Sequence, residues 1–373
     1  MSHSDYQRVN RKRVCLICGK TDWCSYTPDE KISFCARINQ DADRISRTGW
    51  GVFYQEKPFS AVQTLPCPDK SSSKKPKLAP IEIRDFAYRT LIKLAPATNS
   101  KEITEGPKGL RERKILDFEN YGSLPQSRVE RNKIAKKIRC MINRNFPDYV
   151  REHQSSISGL PGFWVDKRGK VGLGTDKDYA IPMMLIPYRN ADGFIQACQI
   201  RFMSRTFKGV RYIWLSSPKK SGGLSSGTPL HFASRNFFDS SAKPILITEG
   251  ALKADTAQIF KPEFSVVAAG GVSCSHEEII NVTRFRSVLI AFDSDYRRNP
   301  QVARHIARLL EMRFADARQH EYNDQTNFLV WSDRFKGIDD ALLNQIPMQT
   351  KTPSEWLKSL NVPLVPNFTN LIE

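Results

Sequence analysis

Short apolar runs alternate with longer stretches of helical periodicity between Lys243 and Leu342. The first run, Pro-Ile-Leu-Ile-Thr-Glu-Gly, spans 244–250, and the second, Val-Leu-Ile-Ala-Phe-Asp-Ser-Asp, spans 288–295. The stretch closes at Lys-Gly-Ile-Asp-Asp, 336–340. Each run is short and bounded by turn residues, as a strand buried on both faces should be. Helical patterns fill the intervals at Ala251–Phe260, His276–Phe285 and Pro300–Ala317, and Thr326–Trp331 reads as the last strand. Strands alternating with helices of this length predict βαβ units in one parallel sheet.

Upstream the pattern changes. Residues 83–155 read as mostly helical: Phe86, Leu91, Ile92 and Leu94 mark an amphipathic helix, and Leu110–Tyr121 and Arg128–Asn145 follow. Residues 160–235 read as strands at Ala180–Tyr188, Phe194–Phe202 and Tyr212–Leu215, the first two joined by an Asn190-Ala-Asp-Gly193 turn. Residues 56–82 hold Pro58, Pro66, Pro68, Pro76 and Pro80 beside a Ser-Ser-Ser-Lys-Lys run, the composition of a linker. Ahead of it, a turn signal at Pro28–Lys31 separates two β-rich arms. The expected architecture is an α/β multidomain chain. It has a small N-terminal module (10–55), a linker (56–82), a helical plus mixed-sheet subdomain (83–235), a parallel α/β sheet (240–345) and a tail without motifs (346–373).

Ligands of open parallel sheets gather outside the carboxyl ends of the strands. Glu249, Asp293 and Asp295 stand at those ends and are expected on one rim. Several carboxylates on one rim repel each other unless a cation lies among them. Hard oxygen ligands suit Mg²⁺, or Mn²⁺ in its place. Such ions can stabilise the attacking and leaving oxygens of a phosphoryl transfer. A plainer reading stays open, in which Glu249 and Asp293 favour the dipoles of the helices they precede.

Of eight Cys, four lie within residues 15–35. Cys15-Leu-Ile-Cys18-Gly19 is a metal knuckle: two thiolates reach one ion, and the glycine permits the tight turn. If the following hairpin turns between Asp29 and Glu30, Cys24 faces Cys35 across it, and opposed residues share a sheet face. Four thiolates then close a tetrahedral structural zinc site with no open position. Cys67, Cys140, Cys198 and Cys274 are scattered and read as small buried hydrophobes. Trp23, Tyr26, Phe34, Trp50, Phe53 and Tyr54 interleave with Lys20, Lys31, Arg37, Arg44 and Arg47. That mixture suits stacking and phosphate contacts along a single strand. The other reading is a core for a tiny module, above all for Trp50 and Phe53.

Charge narrows the partners. The 373 residues carry 57 Lys plus Arg against 39 Asp plus Glu, a formal charge of +18. Such an excess suits a polyanion, either nucleic acid or an anionic membrane. No run of eighteen apolar residues occurs, and Met-Ser-His-Ser-Asp-Tyr holds no apolar signal core. The expectation is a cytoplasmic, nucleoid-associated chain with a nucleic-acid partner and no membrane. Lys108, Arg111, Arg113, Lys114, Arg131, Lys133, Lys136, Lys137, Arg139 and Arg144 form either a solvated helical face or a nucleic-acid track. No Gly-x-x-x-x-Gly-Lys-Ser/Thr is present, so no P-loop motor is fused here.

Three groups of residues carry a resemblance. Glu249-Gly after a first strand, Asp293-x-Asp295 after a third and the later pair Asp339-Asp340 resemble the TOPRIM domain of bacterial-type primases, topoisomerases, some nucleases and recombination proteins. Directly before them, Ile186-Pro-Tyr-Arg189, Asp192-Gly193, Arg201, Arg211-Tyr212 and Ser216-Ser-Pro218 resemble the catalytic core of the DnaG-type primases. Residues 11–54 resemble the zinc ribbon that opens bacterial-type and phage primases, although Cys24 stands in for part of the usual ligand set.

The resemblance implies a DNA primase of phage or mobile-element type, a nucleotidyltransferase joining ribonucleoside triphosphates on a single-stranded DNA template. Glu249, Asp293 and Asp295 would be catalytic, holding Mg²⁺ or Mn²⁺ together with Asp339. Arg189, Arg201, Arg211 and Tyr212 would hold nucleotide phosphates or template, since the arginine fork can donate two bonds at once. Zinc would be structural, and a replicative helicase would act in trans. Two alternatives share these residues: a TOPRIM nuclease using the same metal, and a non-catalytic single-stranded DNA-binding replication factor. A topoisomerase is disfavoured, since no separate domain for a catalytic tyrosine is evident.

Overall fold

Five short strands build the N-terminal sheet: β1 (Gln7–Arg8), β2 (Ser25–Tyr26), β3 (Ile32–Cys35), β4 (Arg44–Ile45) and β5 (Gly51–Tyr54). Their order is β1-β2-β3-β5-β4, antiparallel throughout. In this computed structural model residues 6–54 are described apart from 11–13, 16, 19, 22, 29–31, 39–41 and 47–49. Residues 77–360 are described apart from 154, 167, 205–208, 235–236 and 238–242. The chain divides into two units, Met1–Lys74 and Lys75–Glu373. Most of the expected linker, with Cys67, lies outside the described residues, as do 361–373 of the expected tail.

In the first unit Ser25 pairs with Phe34 and Tyr26 with Ser33. The same register, carried back one step, sets Cys24 opposite Cys35, as the hairpin spacing requires. The core is Val9 with Cys15, Cys24 and Cys35, and Tyr26 and Phe53 pack against it. Trp23, with φ 65°, is 64% exposed.

The second unit opens with helices and an antiparallel sheet. Its elements are α1 (Ile81–Leu94), α2 (Lys101–Thr104), β6 (Gly122–Leu124), α3 (Arg128–Asn145), α4 (Pro147–His153), β7 (Phe163–Val165), β8 (Val171–Leu173), β9 (Met183–Arg189), β10 (Ile195–Phe202) and β11 (Tyr212–Trp214). The sheet order is β11-β10-β9-β6, with β7-β8 a separate hairpin. Apolar spacing on α1 places Ile83, Ala87, Leu91 and Ile92 on one face, in a core with Ile195, Cys198 and Ile200. Asn190 Oδ1 accepts from the Asp192 and Phe194 amides, and Gly193 takes φ 83°, which turns β9 into β10.

The helix expected over Leu110–Tyr121 is not formed; one 3₁₀ turn covers Phe118–Asn120. Its buried apolar residues, Leu110, Ile115 and Tyr121, are five and six apart, a spacing no helical face provides. Lys108 and Lys114 take positive φ, and the Leu110 amide donates back to the Ile103 carbonyl.

The remaining elements are β12 (His231–Phe232), β13 (Ile245–Glu249), α5 (Ala251–Phe260), β14 (Ser265–Ala269), α6 (His276–Thr283), β15 (Val288–Ile290), α7 (Pro300–Gln319), β16 (Thr326–Val330), α8 (Ile338–Leu343), β17 (Gln349–Lys351) and α9 (Pro353–Lys358). They form a six-stranded sheet, β12-β14-β13-β15-β16-β17. The four inner strands are parallel, and the two edges run antiparallel. The fold is therefore α/β and multidomain, with a mixed, mostly parallel sheet. Residues of β14 and β15 are buried throughout, which is why their sequence shows no alternation. Within the stretch expected as a tail, β17 and α9 complete the sheet. Thr352 and Glu355 form a capping box, and buried Trp356 stacks on Phe328 at 4.4 Å.

Candidate functional site

Glu249 is the last residue of β13, and Gly250 turns the chain straight into α5 with φ 82°. Nothing lies within 4 Å of the position a Cβ would take at Gly250, so the glycine serves the backbone conformation and not a close contact. Asp293 follows β15 and enters a 3₁₀ turn over Ser294–Arg297. Its side chain makes no capping bond there, and α5 begins on Gly250 without a side-chain cap. The capping alternative for these acids therefore finds no hydrogen bond. The Ser294 amide and hydroxyl donate to the carbonyls of Lys336 and Phe335, each at 2.9 Å, which ties this turn to the loop ahead of α8.

Two ammonium groups stand among the acids. Lys253, one turn after Glu249, lies 3.6 Å from Glu249 Oε1 and pairs directly with Asp293 Oδ1. Lys336 lies 3.1 Å from Asp295 and 3.6 Å from Asp293. Asp339 is buried and pairs through Oδ2 with Arg113, while its Oδ1 is buried without a hydrogen-bond partner. A Cβ at Gly337 would come within 2.3 Å of that oxygen, so a side chain there would have to displace the Asp339 carboxylate.

Burial pushes the Asp293 carboxyl up to about 7; Lys253 opposes the shift and Glu249 adds to it. Lys253 is pushed to about 12, because Asp293, Glu249 and Asp339 together outweigh its burial. The two shifts pull in opposite senses on one ion pair. Three acids raise Lys253, whereas Asp293, with Lys253 paired to it and Lys336 3.6 Å away, is buried beside a second carboxylate. Lys253 is thus firmly cationic, and Asp293 carries its charge at a cost.

Beside the rim lies a cavity of about 240 Å³ lined by Glu249, Gly250, Lys253, Arg113, Gln199 and Tyr212. Tyr212 thus shares a cavity with Glu249. Arg201 is 1% exposed and donates to the Lys108 carbonyl at 2.5 Å, so it is part of the interior. Arg201 and Arg211 each keep a buried Nε without a partner. Arg189 is held 3.6 Å from Asp255, which also accepts from Tyr121 at 2.5 Å and sits 3.0 Å from buried His231. Arg189, Asp255 and Tyr121 line a different cavity, of about 180 Å³, whose walls include none of the rim acids. Sequence reasoning missed Lys253, Lys336 and Arg113. Lys253 had a local signal, four positions after Glu249 on a helix, and Lys336 lies in the Lys-Gly-Ile-Asp-Asp motif. Arg113 had none, being 226 residues from its partner.

Two groups differ in their fitness for a metal. In the N-terminal unit the Sγ atoms of Cys15, Cys18, Cys24 and Cys35 all lie within 4.8 Å of one another, with Cys18–Cys24 at 3.6 Å and Cys24–Cys35 at 3.9 Å. Zinc–sulfur bonds of about 2.3 Å in a tetrahedron call for sulfurs about 3.8 Å apart. The Ile38 amide donates to Cys35 Sγ at 3.3 Å, and Arg37 lies 3.9 Å from Cys24 Sγ, contacts that favour thiolate. The set fits structural zinc. Among the described residues no three rim acids close to that spacing, the two ammonium groups lying among them. Their chemistry still suits a hard cation, and the unpartnered Asp339 oxygen is a free donor. Of the scattered cysteines, Cys198 is buried as expected, Cys274 is half-buried, and Cys140 is exposed.

No family model matches the chain, and no curated protein does. Solved structures are similar to it. One is the RNA polymerase domain of Mycobacterium tuberculosis primase DnaG, at 13% identity and TM-score 0.47, covering 72% of this chain and 83% of that one. Another is the Aquifex aeolicus primase, zinc-binding and RNA polymerase domains, at 13% identity and TM-score 0.44, covering 94% and 81%. A third is a DnaG primase catalytic domain bound to single-stranded DNA, at 16% identity and TM-score 0.42, covering 71% and 76%. They are of the type that the motifs resemble. No helix among the described residues is long and apolar enough to cross a membrane.

Proposed function

We propose that the chain is a primase-like nucleotidyltransferase, joining ribonucleoside triphosphates on single-stranded DNA. The observation that carries this reading is the set Glu249, Asp293 and Asp295 at the strand ends, with Glu249 lining the same cavity as Tyr212. Glu249, Asp293, Asp295 and Asp339 would hold Mg²⁺ or Mn²⁺, which supplies charge compensation for the transferred phosphoryl group when bound. Lys253 and Arg113, on the cavity wall, offer positive charge to a polyphosphate. The Tyr212 ring, 41% exposed, offers a face to a base. Little covalent chemistry is asked of the protein: orientation and preorganised charge supply the rate. The zinc unit would hold the template, and a helicase would act in trans.

One observation favours a second reading. Lys253 and Lys336 already neutralise part of the acid cluster, as a binding factor with an idle metal site would have it. Incubation with single-stranded templates, four ribonucleoside triphosphates and Mg²⁺ separates the readings by product. Short labelled oligomers support the primase. Degraded template points to a nuclease, and salt-sensitive binding without either product points to the binding factor.

A further inference from the structure

Lys253 is fixed in a way that Lys336 is not. It rises from the first turn of α5, immediately after Gly250, and its ammonium is shared by Glu249 and Asp293. Asp293 is only 3% exposed. The stem of Lys253 also borders Asp339: the missing Cβ of Gly337 marks a point 2.3 Å from Asp339 Oδ1 and 3.1 Å from Lys253 Cε. Two of the four acids therefore meet at one ammonium, with the third beside its stem. Lys336 is different, with a side chain 64% exposed and, among the described residues, ion pairs to Asp295 and Asp293.

The charges divide accordingly. Glu249, Asp293, Asp295 and Asp339 bring four negative charges. Lys253, 23% exposed and held between two acids, and Arg113, 10% exposed, answer two of them. The remaining two match one divalent cation, with Lys336 as the counter-ion that leaves when it enters. Displacing Lys253 instead would take the direct partner from nearly buried Asp293, a larger cost than moving the 64% exposed Lys336.

We propose that Lys253 is a built-in cation standing in the place of a second metal ion, so that the acid cluster takes one divalent ion, on the Asp293–Asp295 side. This rests on the metal-dependent reading above and deepens it. It also gives the departing Lys336 a role: its freed ammonium is available to the phosphates of a nucleotide or template entering beside the ion.

The test needs no catalysis. Full-length zinc-loaded protein is titrated with Mn²⁺ without nucleotide, and free Mn²⁺ is followed by electron paramagnetic resonance. Ions retained by a D293N, D295N double variant are subtracted. Wild type should bind one Mn²⁺ per chain. K336M should keep that count and bind roughly five- to tenfold more tightly, since an exposed competing charge is gone. K253M, checked for folding by its melting transition, should admit a second ion. Two ions in wild type, or no tightening in K336M, would overturn the proposal even if K253M fails to fold. An unchanged count in folded K253M would do the same. No bound Mn²⁺ would remove the metal-dependent reading as well, whereas two would leave it standing.

Discussion

Asp293 is where the chemistry and the stability of the fold pull against each other. Its carboxyl is buried next to Glu249, and Lys253 offsets only part of that cost. The group binds a proton more readily in the folded chain than in the unfolded one. Stability from its protonated form is complete at low pH and is lost as pH rises from the usual carboxylate range through about 7. In buffer free of divalent ions, Asp293→Asn should therefore melt increasingly above wild type between pH 5 and pH 8. A melting difference that stays constant across that range would contradict the assignment. Thiols show the complementary case. Burial pushes Cys24 and Cys35 upward, so four thiolates coexist only around a cation. Wild type should carry a single equivalent of zinc by metal analysis, and Cys35→Ser should lose it. Near-stoichiometric zinc in that variant would show that the four-sulfur site is wrong.

Strands and helices with a single strong signal were readable in advance. Ala251–Phe260 and Arg128–Asn145 fold where their periodicity places them, and the apolar runs at 244–250 and 288–295 end in the acids that face one another. Elements without an apolar pattern were not readable. β17 is the polar edge strand Gln-Thr-Lys, stabilised by pairing with β16 and not by burial of its own side chains. Leu110–Tyr121 has enough apolar residues for a helix but the wrong spacing, and its Arg113 answers to an acid far along the chain. The site was legible in its acids and illegible in its cations, because ion pairs across a fold leave no local trace. α9 is similarly non-local: Trp356, wholly buried, fills the space beside Phe328 and Tyr296. Trp356→Ala should cost about 3–5 kcal/mol in urea unfolding. A loss below about 1 kcal/mol would mean that this helix is not docked in solution.

The charge of +18 acts over the molecule as a whole. Some of it is spent inside: Arg131 donates to the carbonyls of Pro125, Gln126 and Thr175, and Arg313 holds Asp324, Thr326 and Thr283. What is left for a polyanion includes Lys133, Lys136, Lys137, Arg139 and Arg144, all exposed along α3. Affinity for a single-stranded oligonucleotide should fall at least about tenfold between about 50 and about 200 mM salt, as released counterions require. Salt-independent binding would contradict a phosphate-led interface. The most direct measurement joins this surface to the rim. Wild type and Asp293→Asn are compared on one single-stranded template with Mg²⁺ and a ribonucleoside triphosphate labelled at the α-phosphate, while template affinity is measured in parallel. The account predicts short labelled oligomers from wild type and at least about a hundredfold less from the variant, with template affinity unchanged. Oligomers from the variant at the wild-type rate would contradict it.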